Sequence, residues 1–174
     1  HFPVGVIDRR FAPKLADVPD GALVTITAQV GVHVVPRHKR QPYRVKISDD
    51  TGEMTLVFFR GNADYLKRQL PEGSTRVISG RAQAYGGGIQ ITHPDHIGTP
   101  EEQAQLQAVE PTYRLTAGVA QKPMQKAVRA ALARAPELPE WHDRAFVGRE
   151  GWRPWRESLA AAHSPGSEAD LAPE

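Results

Sequence analysis

Cysteine is absent from the 174 residues of this chain, which excludes disulfide bonds and thiolate metal ligands. The absence fits a reducing compartment, and we expect a cytoplasmic protein. No apolar run approaches the roughly 18 residues that a membrane helix needs, so we expect no membrane partner. No secretory signal pattern is visible at the start either.

Acidic residues are missing from one long stretch, 21–48, although the chain has 20 acidic and 22 basic residues in all. A merely solvated surface normally mixes charges of both signs, whereas clustered cations release counterions when they bind a polyanion. We therefore predict that the basic residues of this stretch contact nucleic-acid phosphates, the alternative being a solvated surface. These residues are Arg37, Lys39, Arg40, Arg44 and Lys46.

Alternating and β-branched residues predict five short strands, at 23–35, 43–48, 53–60, 77–85 and 89–93. Gly31 inside the first strand indicates a bulge. Gly61 ends the third strand, and Asn62 can cap a helix that runs to Leu70. Five strands with one helix after the third form a mainly β fold, the five-stranded Greek-key OB-fold barrel. Such barrels most often bind single-stranded or branched nucleic acid.

Prolines and shifts in composition predict how the chain is divided. We expect an extended lead-in at 1–22, the barrel at 23–98, a loop and helical appendage at 99–163, and a disordered tail or linker at 164–174. In the appendage, spacing predicts helices over 123–135 and 154–162. Its core anchors are expected to be Trp141, Trp152 and Trp155.

The third strand sets the orientation of two phenylalanines. Because strand side chains alternate, we predict that Phe58 enters the core and that Phe59 faces outward to stack on a base where a duplex opens. A register error of one residue would exchange the two. Arg60 joins Phe59 in the predicted DNA-binding set, and Tyr65 on the following helix is a second stacking candidate or a helix-to-barrel contact.

No catalytic or metal site is predicted. His93 and His96 lie near Asp95, but Pro94 interrupts the strand and no third ligand stands at a suitable spacing, so we expect a structural turn. No Gly-Lys-Ser or Gly-Lys-Thr follows the three glycines at 86–88, which argues against a phosphate-binding loop. We therefore expect no cofactor in this chain.

Several stretches together resemble one family. They are Phe2-Pro3 with Asp8-Arg9, Ser48-Asp49-Asp50-Thr51-Gly52, Phe58-Phe59-Arg60-Gly61-Asn62, His93-Pro94-Asp95, Tyr113 to Val119, and His163-Ser164-Pro165. In this order and spacing they resemble the wedge domain of RecG, a family of ATP-dependent helicases that remodel stalled forks and Holliday junctions.

The resemblance implies branched or single-stranded DNA and the helicase motor domains of the same parent chain as partners. It also implies ATP and Mg²⁺ as cofactors of the parent, roles in DNA repair and recombination, and base capping at the branch point by Phe59. The sequence contains no Walker A lysine motif, so we expect an excised wedge fragment that does not hydrolyse ATP. From the residues alone, an RNA- or tRNA-binding OB module and a protein-interaction OB domain remain alternatives.

Overall fold

The computed structural model describes residues 2–38, 41–103 and 108–167. The strands are β1 (Gly5–Asp8), β2 (Leu23–Val34), β3 (Tyr43–Ser48), β4 (Glu53–Phe58), β5 (Thr75–Tyr85), β6 (Gly88–Thr92), β7 (His96–Gly98) and β8 (Val109–Thr112). The helices are α1 (Ala63–Gln69), α2 (Pro100–Gln103), α3 (Gln121–Ala133), α4 (Arg144–Glu150) and α5 (Trp155–Ala162). Two compact units result: the barrel unit, Arg9–Ala108, and a second unit formed by residues 1–8 and 109–174.

A ring of strand pairings builds the barrel unit. β2 pairs antiparallel with β3, and β3 pairs in the same way with β4. β6 runs parallel to β4, and β5 pairs antiparallel with both β6 and β2, so that the pairings return to their start. With α1 between β4 and β5, this is the predicted OB-fold order, and the mainly β fold class with C-terminal helices is confirmed.

Side-chain alternation along the strands fills the barrel core. Tyr43, Val45 and Ile47 of β3 are buried, whereas Arg44 and Lys46 between them are exposed. The register of the β2–β3 pairing shifts in the segment around Gly31, so the predicted bulge is confirmed. Since the apolar neighbours face the barrel core, the basic side chains of β3 face the outer surface of the barrel.

The strands of the structure differ from the predicted ones in several places, by one or two residues at the ends of most and by whole strands in others. β4 ends at Phe58 rather than Arg60, because the Phe59 N–H donates to Nε2 of His93 (3.1 Å) and not to a neighbouring strand. β7, which pairs with β5, was not predicted, and neither was the β1–β8 pair. The predicted lead-in at 1–22 is divided, since residues 1–8 belong to the second unit.

A buried arginine ties the start of the barrel unit to its sheet. The Arg9 side chain is only 6% exposed and donates through Nη1 to Oγ of Ser79 (2.8 Å). The same nitrogen lies 3.6 Å from Oδ2 of Asp95, and the Thr25 hydroxyl donates to the Ser79 Oγ (3.0 Å). Ser79 is fully buried, so these hydrogen bonds satisfy polar atoms that water does not reach.

The β3–β4 turn is organised by one carboxylate. Oδ1 of Asp49 accepts hydrogen bonds from the Thr51 hydroxyl (2.6 Å), the Thr51 N–H (2.7 Å) and the Gly52 N–H (3.0 Å). Its Oδ2 accepts from the N–H of Leu15 (3.0 Å), which attaches the preceding 3-10 turn, Leu15–Asp17. Burial opposes ionisation of Asp49, but these hydrogen bonds outweigh it and lower its pKa from 3.8 to about 2.

Acid should weaken the barrel through Asp49. Because the folded-state pKa lies below the unfolded value, its contribution is fully present above about pH 4 and is lost as the pH falls toward 2. We expect Asp49→Asn to lower the free energy of unfolding by about 1–2 kcal/mol at pH 7 and by much less at pH 2. Urea unfolding across this range measures both values. Asp50→Asn is the control, since Asp50 is exposed and bonds Lys14 (2.6 Å); an equal response of both variants would contradict the prediction.

The second unit combines a two-stranded sheet, β1 with β8, and the helices α3 to α5. The predicted helices at 123–135 and 154–162 correspond to α3 and α5, with ends shifted by up to two residues. α4 was not predicted, although Asp143 caps it by accepting from the Phe146 N–H (2.8 Å) and Gly151 ends it at φ 65°.

The predicted role of the tryptophans as core anchors is wrong for two of them. Trp141 is 81% exposed and Trp152 is 52% exposed, because helices α3 to α5 bury no residue fully. Trp155 is partly buried, and together the three rings line an open cavity of about 490 Å³. Of the tail predicted at 164–174, residues 168–174 lie outside the described residues.

Candidate nucleic-acid interface

The outer face of the barrel, defined here by the outward residues of β3, β4 and β6, carries a shallow groove. Strand register explains how it forms, because Lys46 of β3 lies opposite Thr55 of β4, and Thr55 lies opposite Gln90 of β6. The groove has a volume of about 360 Å³. Besides two glycines, its lining residues are Arg44, Lys46, Thr55, Tyr85, Ile89 and Gln90.

The electrostatics of this barrel groove favour an anion. Arg44 and Lys46 stand two residues apart on one strand face, roughly 6–7 Å along the chain. No acid lines the groove, and within the described part of the chain neither cation has an ion pair. Two unpaired cations beside a hydroxyl and an amide can bind a phosphate backbone and the polar edges of bases.

The exposed ring of Tyr85 was missed by the sequence prediction. Tyr85 ends β5, is 67% exposed and lines the groove. It pairs with Gly88 across a two-residue hairpin whose central residues, Gly86 and Gly87, have φ 61° and 83°. Such a turn needs positive φ at both positions, which glycine adopts without strain. The sequence signal that could have identified Tyr85 is an aromatic residue directly before three glycines.

Phe58 and Phe59 have the predicted orientations. Phe58 is 6% exposed and belongs to the core, whereas Phe59 is 63% exposed. His93 holds this end of β4: its N–H donates to the Val57 carbonyl (2.9 Å), and its ring nitrogen accepts from the Phe59 N–H (3.1 Å). His93 has φ 49°, so the predicted structural turn is confirmed there. The stacking role of Phe59 stays a prediction.

Among the described residues, the other predicted DNA-binding residues do not line the groove. Arg37 is exposed in the β2–β3 connection, where its N–H donates to Oε1 of Gln41 (3.1 Å). Arg60 is exposed directly after Phe59, and Tyr65 is half-exposed on α1. Lys39 and Arg40 lie outside the described residues. The structure thus brings Arg44 and Lys46 together in one groove, and the DNA-binding role of all the predicted residues stays a prediction.

Comparison with known proteins places the barrel in a family. The profile of the OB-fold nucleic acid binding domain matches residues 18–96. The ATP-dependent DNA helicase RecG of Escherichia coli is 29% identical over 137 residues, and RecG of Thermotoga maritima is 32% identical over 130. The chain is therefore similar in sequence to the RecG helicases, and its barrel has the OB fold. The match covers 76% and 72% of this chain, respectively.

The fold comparison agrees with the sequence comparison. A solved structure of RecG bound to a three-way DNA junction superposes with a TM-score of 0.78 over 98% of this chain, at 24% identity. The matched region is 24% of that RecG chain. By sequence, the present chain spans 19% of the Escherichia coli RecG and 16% of the Thermotoga maritima RecG.

Two further features bear on the kind of site. Among the described residues, no group of three or more His, Asp or Glu side chains could hold a metal ion. No helix in that part of the chain combines the length and apolarity that crossing a membrane requires.

Proposed function

We propose that this chain is the DNA-binding wedge of a RecG-like helicase, which docks on branched DNA and separates its strands. The observation that carries the proposal is the barrel groove, in which Arg44 and Lys46 are exposed and have no ion pair within the described residues, while Phe59 is exposed directly after the end of β4. Homology to RecG supports DNA as the polyanion, since RecG is known as a DNA helicase. Stalled forks and Holliday junctions are the proposed targets.

The proposed mechanism is steric exclusion combined with base stacking. Arg44 and Lys46 hold a phosphate backbone against the barrel, and this attraction is independent of sequence. Phe59 is exposed at the end of β4 and offers its ring to a base freed at the branch point, which tolerates any base. The barrel then occupies the space in which the two strands would pair again.

Movement in this mechanism comes from outside the chain. The motor domains of the parent helicase would draw the duplex past the barrel, using ATP and Mg²⁺. The residues described here supply the binding surface and the obstacle. The chain is therefore proposed to be a non-catalytic part of a helicase.

The proposal is tested by comparing DNA shapes at fixed salt. We expect the 174-residue chain to bind a forked DNA about 5- to 150-fold more tightly than a duplex of equal length, the range that one stacked base supplies. Fluorescence anisotropy with labelled DNA measures both affinities. Equal affinities for the two shapes would overturn the wedge function, and tighter binding of structured RNA would favour an RNA-binding module.

Phe59→Ala is the matched variant for this experiment. Because the ring is exposed and outside the core, the fold should survive while the preference for forked DNA falls toward unity. Phe11→Ala is the control, since Phe11 is another exposed ring of the barrel unit, 48% accessible, but does not adjoin β3, β4 or β6 in the sequence. If both variants reduce fork binding equally, Phe59 is not the stacking position.

A further inference from the structure

Two exposed aromatic rings mark opposite ends of the outer face. In the β5–β6 pairing, Tyr85 lies opposite Gly88. Gly88 precedes Gln90 by two residues on β6, and Gln90 pairs with Thr55 on the parallel strand β4. Phe59 follows Thr55 by four residues and lies directly after the end of β4. Six residues of extended chain therefore separate the two levels, or roughly 20 Å at about 3.3 Å per residue.

The surface between the two rings suits a nucleic-acid backbone. Lys46 lies opposite Thr55, and Arg44 lies opposite Val57, so the two cations fall between the levels of Tyr85 and Phe59. Exposed Glu53, two residues before Thr55, places an acid at the Tyr85 end. A carboxylate there repels phosphate and so limits the favourable surface at that end.

The hairpin that carries Tyr85 leaves room for a base. A Cβ atom built on Gly86, Gly87 or Gly88 would meet no heavy atom within 4 Å. The turn is bare backbone, so a base can approach the Tyr85 ring without displacing a side chain. Stacking on an aromatic ring accepts every base, which suits a surface that does not read sequence.

We propose that this face is a track for one single strand, which stacks a base on Tyr85 at one end and another on Phe59 at the other. The inference rests on the proposed function and adds a second stacking position and a site size. At about 3.4 Å per stacked nucleotide the track spans about six nucleotides, and fewer if the strand is extended. OB folds bind roughly 4–16 nucleotides, so the expected site size is about 4–6.

Oligothymidylates of increasing length test the track on the full 174-residue chain. We expect the affinity per oligomer to rise up to about six nucleotides and then level off. On dT8, which reaches both rings, Tyr85→Ala and Phe59→Ala should each weaken binding about 5- to 150-fold. On dT3, which reaches one ring at a time, each single variant should lose only about twofold because the other end stays available. The double variant should lose dT3 binding as well.

Tyr85→Phe is the matched control, since it keeps the ring and should bind dT8 as the unaltered chain does. Tyr85→Ala binding dT8 normally, or losing dT3 and dT8 equally, would overturn the two-ended track. If forked DNA is still preferred in that case, the wedge function stands and only the track fails. If the unaltered chain binds neither dT8 nor forked DNA, both proposals fail.

Discussion

Replacing Arg44 and Lys46 together by glutamine is expected to weaken DNA binding about 100-fold or more at moderate salt, since each charge-assisted hydrogen bond contributes about 1.5–3 kcal/mol. The slope of log affinity against log salt should fall by about 1.4 for single strands, because each phosphate contact contributes about 0.7. Both cations are exposed, unpaired within the described residues and set in a groove without acids. Titrations of labelled DNA at several salt concentrations measure both quantities.

A matched charge change on the second unit controls for net charge. Lys126→Gln with Arg129→Gln removes two exposed cations from α3, outside the barrel groove. Because these two side chains belong to the other compact unit and do not line the groove, the control should leave the slope nearly unchanged. Equal changes in the two double variants would show that the groove has no special part in binding.

Arg9→Ala is expected to lower the free energy of unfolding of the barrel by about 2–4 kcal/mol. The guanidinium is buried against Ser79 and lies 3.6 Å from Asp95, so its loss removes a hydrogen-bond donor from the fully buried Ser79 hydroxyl. Removing one member of a buried charged pair costs about 3–5 kcal/mol. Because the Asp95 side chain is half-exposed, we expect a smaller loss of stability than for a fully buried pair. Urea unfolding followed by circular dichroism gives the difference.

The neighbouring residue supplies the control for this variant. Arg10 is exposed, and its replacement by alanine should change stability by less than about 1 kcal/mol. Arg9→Met keeps most of the side-chain volume without the charge and should recover part of the loss. If Arg9→Ala is no more destabilising than Arg10→Ala, the buried network contributes little to the fold.

The barrel could be predicted because its signals are local. Alternation along β3 fixed which side chains face inward, and Asn62 caps α1 by accepting from the Asp64 N–H (2.8 Å). The same alternation gave the orientations of Phe58 and Phe59. Period-2 patterns and cap residues depend on a few neighbours in the sequence, so they survive without knowledge of the tertiary structure.

The remaining features depend on contacts that are distant in sequence. β1 and β8 have four residues each, lie about a hundred residues apart, and include Pro111. Nothing local indicates their pairing. Tyr85 can be recognised as a candidate binding residue only once the β4–β6 register places it at one end of the groove. Trp141 is likewise exposed because the small helical unit buries few side chains.

Several motifs that carry the resemblance to RecG have structural roles. Asp49 organises the β3–β4 turn, Arg9 reaches Asp95, and His93 fixes the end of β4 before Phe59. Each joins segments that are far apart in the chain. These motifs therefore indicate the resemblance through the architecture of the barrel, whereas Tyr85, Thr55 and Gln90 of the groove could be identified only from the structure.

The two ends of the barrel unit lie side by side, since the Arg9 N–H donates to the carbonyl of Ala108 (2.7 Å). A domain whose ends meet can be circularly permuted or transplanted as a cassette, because a short linker closes it without strain. To insert this barrel into another protein, the two attachment points in the host would thus need to lie only about one hydrogen bond apart.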